Sequence, residues 1–400
     1  MDRFRFQDLK ELPPDSIFGL NQEYLQDRRP CKVNLGMGVY KTAELQPFIF
    51  KSVKKAEAYL LENEESKDYL SIDGFPPYLA HTKELVFGKS GELQNIYGAQ
   101  TVGGTSALRI GANFLREMGF PFLYYSDPTW DNHRRIFHQA GFELATYPYL
   151  MKNTHTFDVE GFLSFLDTMA PHSVILLHGC CHNPTGIDPT FEEWGRIYEK
   201  MRERDHFPFF DLAYQGFGEG IEEDVRGVRY FVERGMPCLV AVSHSKNFGL
   251  YAERVGALYC SCPDLASVSK VASHMKMIIR GIYSNPPCHG AKIVERILSD
   301  SALREEWKRE LGGIRERIDG MRNNLRMRLK KGGAGERFDY FAPMKGMFAC
   351  LDLPLDQVKR LPSQFAIYLP PSGRINLAGL NDSNIDYVVQ SILSLKVAAN

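Results

Sequence analysis

Four stretches of the chain repeat one pattern, in which a short apolar run ends in a turn rich in Gly, Pro, Asn or Ser and a helix-like segment follows. They are FPFLYYSDPTW (120–130), SVILLHGCCHNPTG (173–186), FPFFDLAYQGFG (207–218) and CLVAVSHSKNFG (238–249). Such runs are typical of buried parallel strands, and their alternation with helices predicts a doubly wound α/β fold with a mostly parallel sheet. Because ligands bind beyond the carboxyl ends of such strands, the polar residues after the runs are candidates for one shared site.

Length and charge restrict the classes of function. A chain of 400 residues suits a large domain with a smaller one. The chain has 48 Lys and Arg against 49 Asp and Glu, which gives a net charge of −1. This charge provides no overall electrostatic attraction to nucleic acid or to an anionic membrane. No run approaches the roughly 20 apolar residues of a membrane span, and the first residues lack a signal-peptide pattern, so we expect a cytoplasmic protein.

The eight cysteines have neither the density of a disulfide framework nor the paired C-x-x-C spacing of a zinc site, which predicts free thiols and no metal centre. A segment from Gly312 to Gly333 carries apolar residues at helical spacing opposite Arg and Lys. A basic face of this kind could bind an acidic partner, but a solvated face on a long surface helix is the favoured interpretation.

The sequence VGGTSALRIGANFL (102–115) places two glycines and a threonine before an amphipathic helix. Gly103 and Gly104 allow close approach to a ligand, Thr105 can cap the helix, and the helix dipole favours an anion there. A phosphate site and an ordinary capped helix are both compatible with this turn. It is not a Walker A loop, and NLGMGVY (34–40) lacks the third glycine of a dinucleotide fingerprint, which disfavours a nicotinamide enzyme.

Several polar residues follow the apolar runs, and each has an ordinary structural interpretation when taken alone. Asp211 can cap a turn, Asn183 can belong to a plain Asn-Pro turn, and Lys246 can be paired or exposed. Burial of Lys246 would instead lower its pKa and make it a nucleophile for an aldehyde. Together with the glycine turn, Arg254 for a dianion and Trp130 for ring stacking, these groups meet the needs of pyridoxal phosphate.

The chain resembles the class I aminotransferases of the aspartate and aromatic amino acid subgroup. The resemblance runs from about Asp15 to Leu380 through nine motifs in order: NLGMGVYK, YLSIDGFP, GGTSALRIGA, DPTWDNH, HGCCHNPTGIDPT, DLAYQGFGEG, SHSKNFGLYAERVGA, IRGIYSNPPCHGA and GRINLAGL. It implies the fold type I of pyridoxal-phosphate transferases. The expected division is an N-terminal arm (1–14), a small domain (15–46 and 313–400) and a large cofactor-binding domain (47–312).

The resemblance also implies roles for individual residues. Lys246 would hold the cofactor as a Schiff base and shuttle a proton, Asp211 would keep the pyridine nitrogen protonated, and His133 would orient Asp211. Tyr214 and Asn183 would bond the cofactor's 3′ oxygen, and Trp130 would stack on its ring. The remaining implied contacts are Gly103, Gly104, Thr105, Ser243 and Arg254 for the phosphate, Tyr69 for the phosphate of a partner subunit, and Gly38, Trp130, Asn183, Arg280 and Arg374 for the substrate.

In this scheme Arg374 clamps the α-carboxylate and Arg280 meets the side-chain carboxylate across a dimer interface. The expected activity is ping-pong transfer of the amino group between L-aspartate and 2-oxoglutarate by a homodimer with shared sites. An aromatic amino acid aminotransferase of the same subgroup is the alternative, and a non-catalytic pyridoxal-phosphate-binding regulator is less favoured because the lysine, aspartate and arginines are all present. The role of His244, where relatives often carry Tyr, Phe or Cys, is left open.

Overall fold

The computed structural model describes residues 6–13, 15, 17–89, 91–151 and 153–395. Residues 1–5 and 14 of the predicted N-terminal arm therefore lie outside the described residues. The helices are α1 (Phe18–Gln26), α2 (Lys51–Asn63), α3 (Pro76–Phe87), α4 (Gly103–Glu117), α5 (Asn132–Gln139), α6 (Val159–Thr168), α7 (Phe191–Glu203), α8 (Arg226–Glu233), α9 (Leu265–Ile282), α10 (His289–Ser299), α11 (Ser301–Leu329), α12 (Leu355–Phe365) and α13 (Ile385–Ser394). The strands are β1 (Val33–Asn34), β2 (Ile96–Val102), β3 (Phe122–Asp127), β4 (Glu143–Pro148), β5 (Val174–His178), β6 (Phe207–Leu212), β7 (Cys238–Ser243), β8 (Val255–Ser261), β9 (Phe348–Cys350), β10 (Ile367–Tyr368) and β11 (Arg374–Asn376).

A seven-stranded sheet in the order β2-β8-β7-β6-β5-β3-β4 forms the centre of the molecule. The four apolar runs are β3, β5, β6 and β7, which pair in parallel as neighbours, so the predicted α/β fold is confirmed. Successive strand residues alternate between two buried apolar clusters: Leu239 belongs to one and Val240 to the other. The sheet is therefore covered on both faces, which is why its strands are apolar throughout.

Strand β8 runs antiparallel to both of its neighbours, β7 and β2. The chain turns back between Ser243 and Val255, and these two ends lie at the same edge of the sheet because Ser243 is registered opposite Gly256. Lys246 lies inside this turn, and Arg254 immediately precedes β8. One chain reversal thus places both cations at the carboxyl edge of the parallel strands.

The two ends of the chain meet in two small sheets. Strand β1 pairs in parallel with β10, and β9 pairs antiparallel with β11. The helix predicted from residues 312–333 is the second half of α11, whose Ile314, Ile318, Leu325 and Leu329 are buried. The boundary expected at residue 312 falls inside this continuous helix, and the division into an arm and two domains stays a prediction. Among the described residues, no helix combines the length and apolar character needed to cross a bilayer.

Candidate active site

Lys246 follows β7 at the carboxyl edge of the parallel strands, and we use the term cleft for the region that it shares with Asp211, Tyr214 and Arg374. Its Nζ lies 4.9 Å from the centroid of the Tyr214 ring and makes no hydrogen bond or ion pair with any residue that the structure describes. Burial, aided by the charges of Arg254 and Arg374 and opposed by Asp211, lowers the pKa of Lys246 to about 8. On the order of a tenth of this amine is therefore uncharged at pH 7, far more than for an ordinary lysine, and the uncharged form is the one that a nucleophile or base requires.

Asp211 is the next group along this edge, near the end of β6. Its Oδ2 accepts a hydrogen bond from His133 Nε2 at 2.9 Å. Burial raises the pKa of Asp211, but the hydrogen bond from His133 and the electrostatic influence of the neighbouring His133, His178 and Lys246 outweigh it, so the pKa lies below its ordinary value. The cleft thus keeps a permanent carboxylate on its floor.

A chain of hydrogen bonds extends behind Asp211 and fixes the imidazole tautomers. Because the carboxylate can only accept, His133 donates from Nε2, and its Nδ1 accepts from the Thr129 hydroxyl at 2.8 Å. Thr129 Oγ1 then accepts from His178 Nε2 at 3.1 Å. Burial is the main cause that lowers the pKa of His178 to about 3, against the opposing effect of Asp211, so His178 is neutral at pH 7.

Sequence reasoning missed Thr129 and His178 in this chain. His178 is the last residue of β5, in register with Asp211, and it belongs to the motif from which only Asn183 was selected. Asp211 and Lys246 were selected because they follow or end an apolar run. His178 also ends such a run, so the sequence contained a signal for it. Thr129 had no comparable signal.

The glycine turn, Ser243 and Arg254 form a small cradle beside Lys246. Gly103 has φ +71° and begins α4, and a Cβ at this position would overlap the Arg254 guanidinium. A Cβ at Gly104 would lie 2.9 Å from Ser243 Cβ. These contacts show why both positions lack side chains: the helix start approaches Ser243 and Arg254 closely, and a helix start beside an arginine favours an anion.

The expectation that Thr105 caps α4 is wrong. The helix begins at Gly103 with Val102 in the capping position, and no side chain caps it. Thr105 therefore lies in the first turn, where it is exposed. The Gly-Gly pair thus belongs to the helix and not to a turn before it. The prediction was wrong because the sequence does not distinguish a glycine at a helix start from a glycine in a turn.

Arg374, at the start of β11, closes the cleft from the side of the small sheets. It is buried, its Nη2 donates to the Gly36 carbonyl at 2.7 Å, and its Nη1 donates to Asn183 Oδ1 at 3.3 Å. Its Nε has no partner among the described residues, although buried polar atoms are normally bonded. Burial lowers the pKa of Arg374, which nevertheless stays charged.

Two further residues connect Arg374 with the cleft. Tyr214 accepts from Asn183 Nδ2 at 3.5 Å, and burial raises the pKa of its phenol above the ordinary value. The Phe348 ring lies 4.2 Å from the Arg374 guanidinium and 5.9 Å from the Tyr214 ring, and a Cβ on Gly38 would contact it at 3.1 Å. Phe348 was missed because no motif or pattern marks it in the sequence.

The structure brings most of the predicted residues together but not all. Trp130 stands edge-on to His133 with ring centroids 5.2 Å apart, which places it at the Asp211 side of the cleft. Tyr69 is 93 % exposed and Arg280 is exposed at the end of α9. Neither of the last two belongs to the cleft of its own chain.

His244 is buried behind the lysine. Its Nδ1 pairs with Asn247 Oδ1 at 3.2 Å, its ring contacts Tyr78 and Phe248 edge-on, and its Nε2 has no partner among the described residues. Burial lowers its pKa to about 4, so it is a neutral packing group at pH 7.

Cys180, Cys181 and Asp224 lie close together, with potential ligand atoms within 4.8 Å of one another. The Asp224 carboxylate accepts four backbone N–H groups, those of Gly216, Gly218, Glu219 and Gly220. These bonds fix the loop that follows Tyr214, so Asp224 has a structural role there.

Pyridoxal-phosphate enzymes need a lysine that can form a Schiff base and an acidic partner for the pyridine nitrogen, and this edge of the sheet brings Lys246 and Asp211 together in that way. The family model described as aminotransferase class I and II matches residues 30–392. The chain therefore belongs to the class I and II aminotransferases, and it is a pyridoxal-phosphate-dependent aminotransferase.

The similarity to individual relatives extends along nearly the whole chain. The aspartate aminotransferase of Escherichia coli (strain K12) is 43 % identical over 394 residues, which covers 98 % of this chain and all of the relative. The aromatic-amino-acid aminotransferase of Burkholderia pseudomallei, solved covalently bound to pyridoxal phosphate, is 41 % identical with a TM-score of 0.94 and covers 98 % and 99 % of the two chains. The psychrophilic aromatic aminotransferase of Psychrobacter sp. B6, cocrystallised with aspartic acid, is 38 % identical with a TM-score of 0.95 and covers 98 % and 100 %.

Proposed function

We propose that the protein transfers the amino group reversibly between L-aspartate and 2-oxoglutarate. The observation that carries this proposal is the buried Arg374, which donates to Asn183 beside Tyr214 and whose charge acts on Lys246, an amine with a pKa lowered to about 8. A guanidinium with a free Nε matches the two oxygens of a carboxylate. The E. coli relative with 43 % identity is named for aspartate, which supports this substrate.

The residues of the cleft fit the cofactor. We assign Gly103, Gly104, Ser243 and Arg254 to its phosphate, together with the backbone of Thr105. Asp211, oriented by His133, would face the pyridine nitrogen, Trp130 would stack on the ring, and Asn183 and Tyr214 would bond the 3′ oxygen. Pyridoxal phosphate, when bound, supplies the electron sink that acidifies the Cα–H bond of an amino acid.

The protein supplies the remaining steps. Arg374 binds the α-carboxylate and thereby fixes the orientation of the Cα–H bond. Lys246 Nζ accepts the Cα proton, for which its lowered pKa of about 8 is suited. Asp211 keeps a fixed negative charge that would face the pyridine nitrogen, since its pKa is lowered.

The close approach of Gly103 to Arg254 predicts that a side chain at position 103 weakens the binding of pyridoxal phosphate. We expect Gly103→Ala to raise the dissociation constant of pyridoxal phosphate by about 10-fold or more, because the methyl group displaces a charged donor, Arg254. Fluorescence titration of the apoenzyme measures this constant. Gly119→Ala is the matched control, because Gly119 also has a positive φ (+90°) but open space around it. Equal losses in the two variants would contradict the cradle.

The lowered pKa of Lys246 predicts a pH profile. The rate at which the apoenzyme captures pyridoxal phosphate should rise with pH to about 8 and then level off, because only the uncharged amine attacks an aldehyde. An ordinary lysine, with a pKa of 10.5, would give a rate that still rises at pH 10. Stopped-flow absorbance at a series of pH values distinguishes the two profiles.

We further propose that the protein is a homodimer in which Tyr69 and Arg280 complete the partner's site. Both residues are exposed in their own chain, where they contact no cleft group, and this exposure supports a role across an interface. Location in the cytoplasm stays a prediction from the sequence. Mixing Lys246→Ala with Arg280→Val chains tests the shared site: random reassociation leaves half of the dimers mixed, each with one intact site of two, so about a quarter of the activity should return. No recovery under conditions of subunit exchange would contradict it.

Arg280 also separates the two candidate substrates. The Psychrobacter relative is named for aromatic amino acids and was cocrystallised with aspartic acid, which makes aromatic substrates the second candidate. We expect Arg280→Val to lower kcat/KM for aspartate by about 100-fold and for phenylalanine by less than about 3-fold, because only aspartate has a side-chain carboxylate. Product analysis with both substrates measures the ratio. Equal losses would contradict the role of Arg280, and a wild-type preference for phenylalanine would favour the aromatic candidate.

A further inference from the structure

His244 uses its two ring nitrogens unequally. The residue is fully buried between Ser243 and the turn that carries Lys246, and its Nδ1 lies 3.2 Å from Asn247 Oδ1. Its pKa of about 4, lowered by burial, keeps the ring neutral at pH 7. Because a carboxamide oxygen can only accept, Nδ1 carries the single ring proton and donates it. Nε2 is therefore a buried acceptor, and it has no partner among the described residues.

Packing alone does not account for a histidine at this position. The ring contacts Tyr78 and Phe248 edge-on, with centroids 5.9 and 5.1 Å apart, and an apolar ring could make both contacts. A buried nitrogen without a partner costs free energy that an apolar ring would avoid. What distinguishes His244 from such a ring is thus the bond from its Nδ1 to Asn247.

This bond spans the part of the chain that contains Lys246. Both of its ends are anchored: the backbone N–H of His244 donates to the Val255 carbonyl at 3.0 Å, and the Asn247 carbonyl accepts from Trp307 Nε1 at 2.6 Å. The amine of Lys246 makes no hydrogen bond with any residue that the structure describes. Its position therefore depends on how firmly the backbone on either side is held.

The bonds of Ser245, by contrast, use groups that we assign to the cofactor's phosphate. Ser245 Oγ accepts from Ser243 Oγ at 3.2 Å and from Arg254 Nη1 at 3.3 Å. A bound phosphate would compete for both donors. The bond from His244 to Asn247 draws on neither of them, so it can hold the segment both before and after the cofactor binds.

We propose that His244 is a positioning residue, whose Nδ1–H holds Asn247 and thereby keeps the Lys246 amine where an incoming aldehyde can reach it. His244 acts through Asn247 and not on the cofactor itself. The inference rests on the role proposed above for Lys246, and it adds a residue outside the set assigned to the cofactor and the substrate.

Two substitutions separate this role from packing. His244→Phe keeps a ring and lacks the N–H group, whereas His244→Asn places an N–H donor near the position of Nδ1 and lacks the ring. We expect His244→Phe to lower the rate at which the apoenzyme captures pyridoxal phosphate by about 5-fold, since one neutral hydrogen bond is lost. Its melting temperature should stay near that of the wild type, because the unpartnered Nε2 is removed together with the bond.

His244→Asn should show the opposite pattern. Its capture rate should stay within about 2-fold of the wild-type rate, because the donor to Asn247 is kept. Its melting temperature should fall, because the missing ring leaves a cavity beside Tyr78 and Phe248. Stopped-flow absorbance and thermal unfolding of the apoenzymes measure the two effects.

Asn247→Ala removes the acceptor and keeps the imidazole. It should lower the capture rate about as much as His244→Phe does, and the double variant should lose no more than either single variant, as one shared interaction requires. This cycle tests the bond from its other end.

His206→Phe is the matched control. His206 is also buried, its Nε2 donates to the Leu166 carbonyl at 3.0 Å, and its Nδ1 has no partner among the described residues. It directly precedes β6 at the amino edge of the parallel strands, so its replacement should leave the capture rate within about 2-fold. A wild-type capture rate in His244→Phe, or additive losses in the double variant, would overturn the proposal. If Lys246→Ala captured the cofactor as the wild type does, the role of Lys246 itself would fail, and this inference with it.

Discussion

Replacement of Lys246 by alanine is expected to lower kcat for aspartate by about 10⁴-fold, because it removes the group that takes the Cα proton and anchors the cofactor. The same change should not destabilise the apoenzyme at pH 7. The pKa of Lys246 falls from 10.5 to about 8 on folding, so the unfolded chain binds more protons between these values. The buried charge thus opposes folding at pH 7, and its removal relieves that cost.

The control for this variant is Lys83→Ala. Lys83 also has a pKa lowered by burial, and its Nζ donates to the carbonyl groups of Leu93 and Ile96 at the opposite edge of the sheet. Its replacement should leave kcat within about 2-fold while losing those bonds. Steady-state rates of the two cofactor-loaded variants measure the effect on kcat. Urea unfolding of the two apoenzymes measures the effect on stability. A Lys246→Ala enzyme that kept about a hundredth of its turnover would refute the assigned role.

Replacement of Arg374 by alanine should reduce kcat/KM for aspartate by about 10³-fold. Two charge-assisted hydrogen bonds of about 2 kcal/mol each are lost with the guanidinium. Arg374→Lys should recover only part of this loss, because an ammonium group cannot bind both carboxylate oxygens in one plane.

Arg322→Ala is the comparison for Arg374, since Arg322 is equally buried in the C-terminal part of the chain. Its guanidinium is bonded to Asp319 and to the Gly346 carbonyl, and none of these groups faces the cleft. The comparison variant should lose stability and keep its kcat/KM. If both variants lost kcat/KM alike, Arg374 would be a structural arginine, and steady-state kinetics with thermal unfolding distinguishes the two outcomes.

The central sheet could be predicted from the sequence because burial on both faces leaves a local mark, a continuous apolar run. The same logic located Asp211 and Lys246, whose polar side chains end such runs. The start of α4 was misplaced because glycine turns and glycine helix starts look alike in sequence. The position of Arg374 came only from resemblance, since its approach to Asn183 joins segments 191 residues apart in the chain.

Contacts between distant segments explain the other omissions. Phe348 lies under Arg374 only because β9 pairs with β11, and each of these strands has three residues, too few for a periodic signal. Thr129 joins His133 to His178 through its hydroxyl group, and the sequence does not distinguish this threonine from one in an ordinary turn. Tyr69 and Arg280 are exposed in their own chain, so the roles proposed for them came only from the resemblance.

Helix α11 has a consequence for how the chain tolerates changes of length. Trp307 in its first half stacks on Phe248 at 4.5 Å and donates to the Asn247 carbonyl, next to Lys246. Ten residues later, Arg317 donates to the carbonyl groups of Lys41, Thr42 and Leu380, near the segment that carries Arg374. One inserted residue between these anchors would rotate the second by about 100° and move it by about 1.5 Å. Between residues 307 and 317 the helix therefore fixes the distance and the angle between its two anchors, and an insertion or deletion there would separate one anchor from its partners.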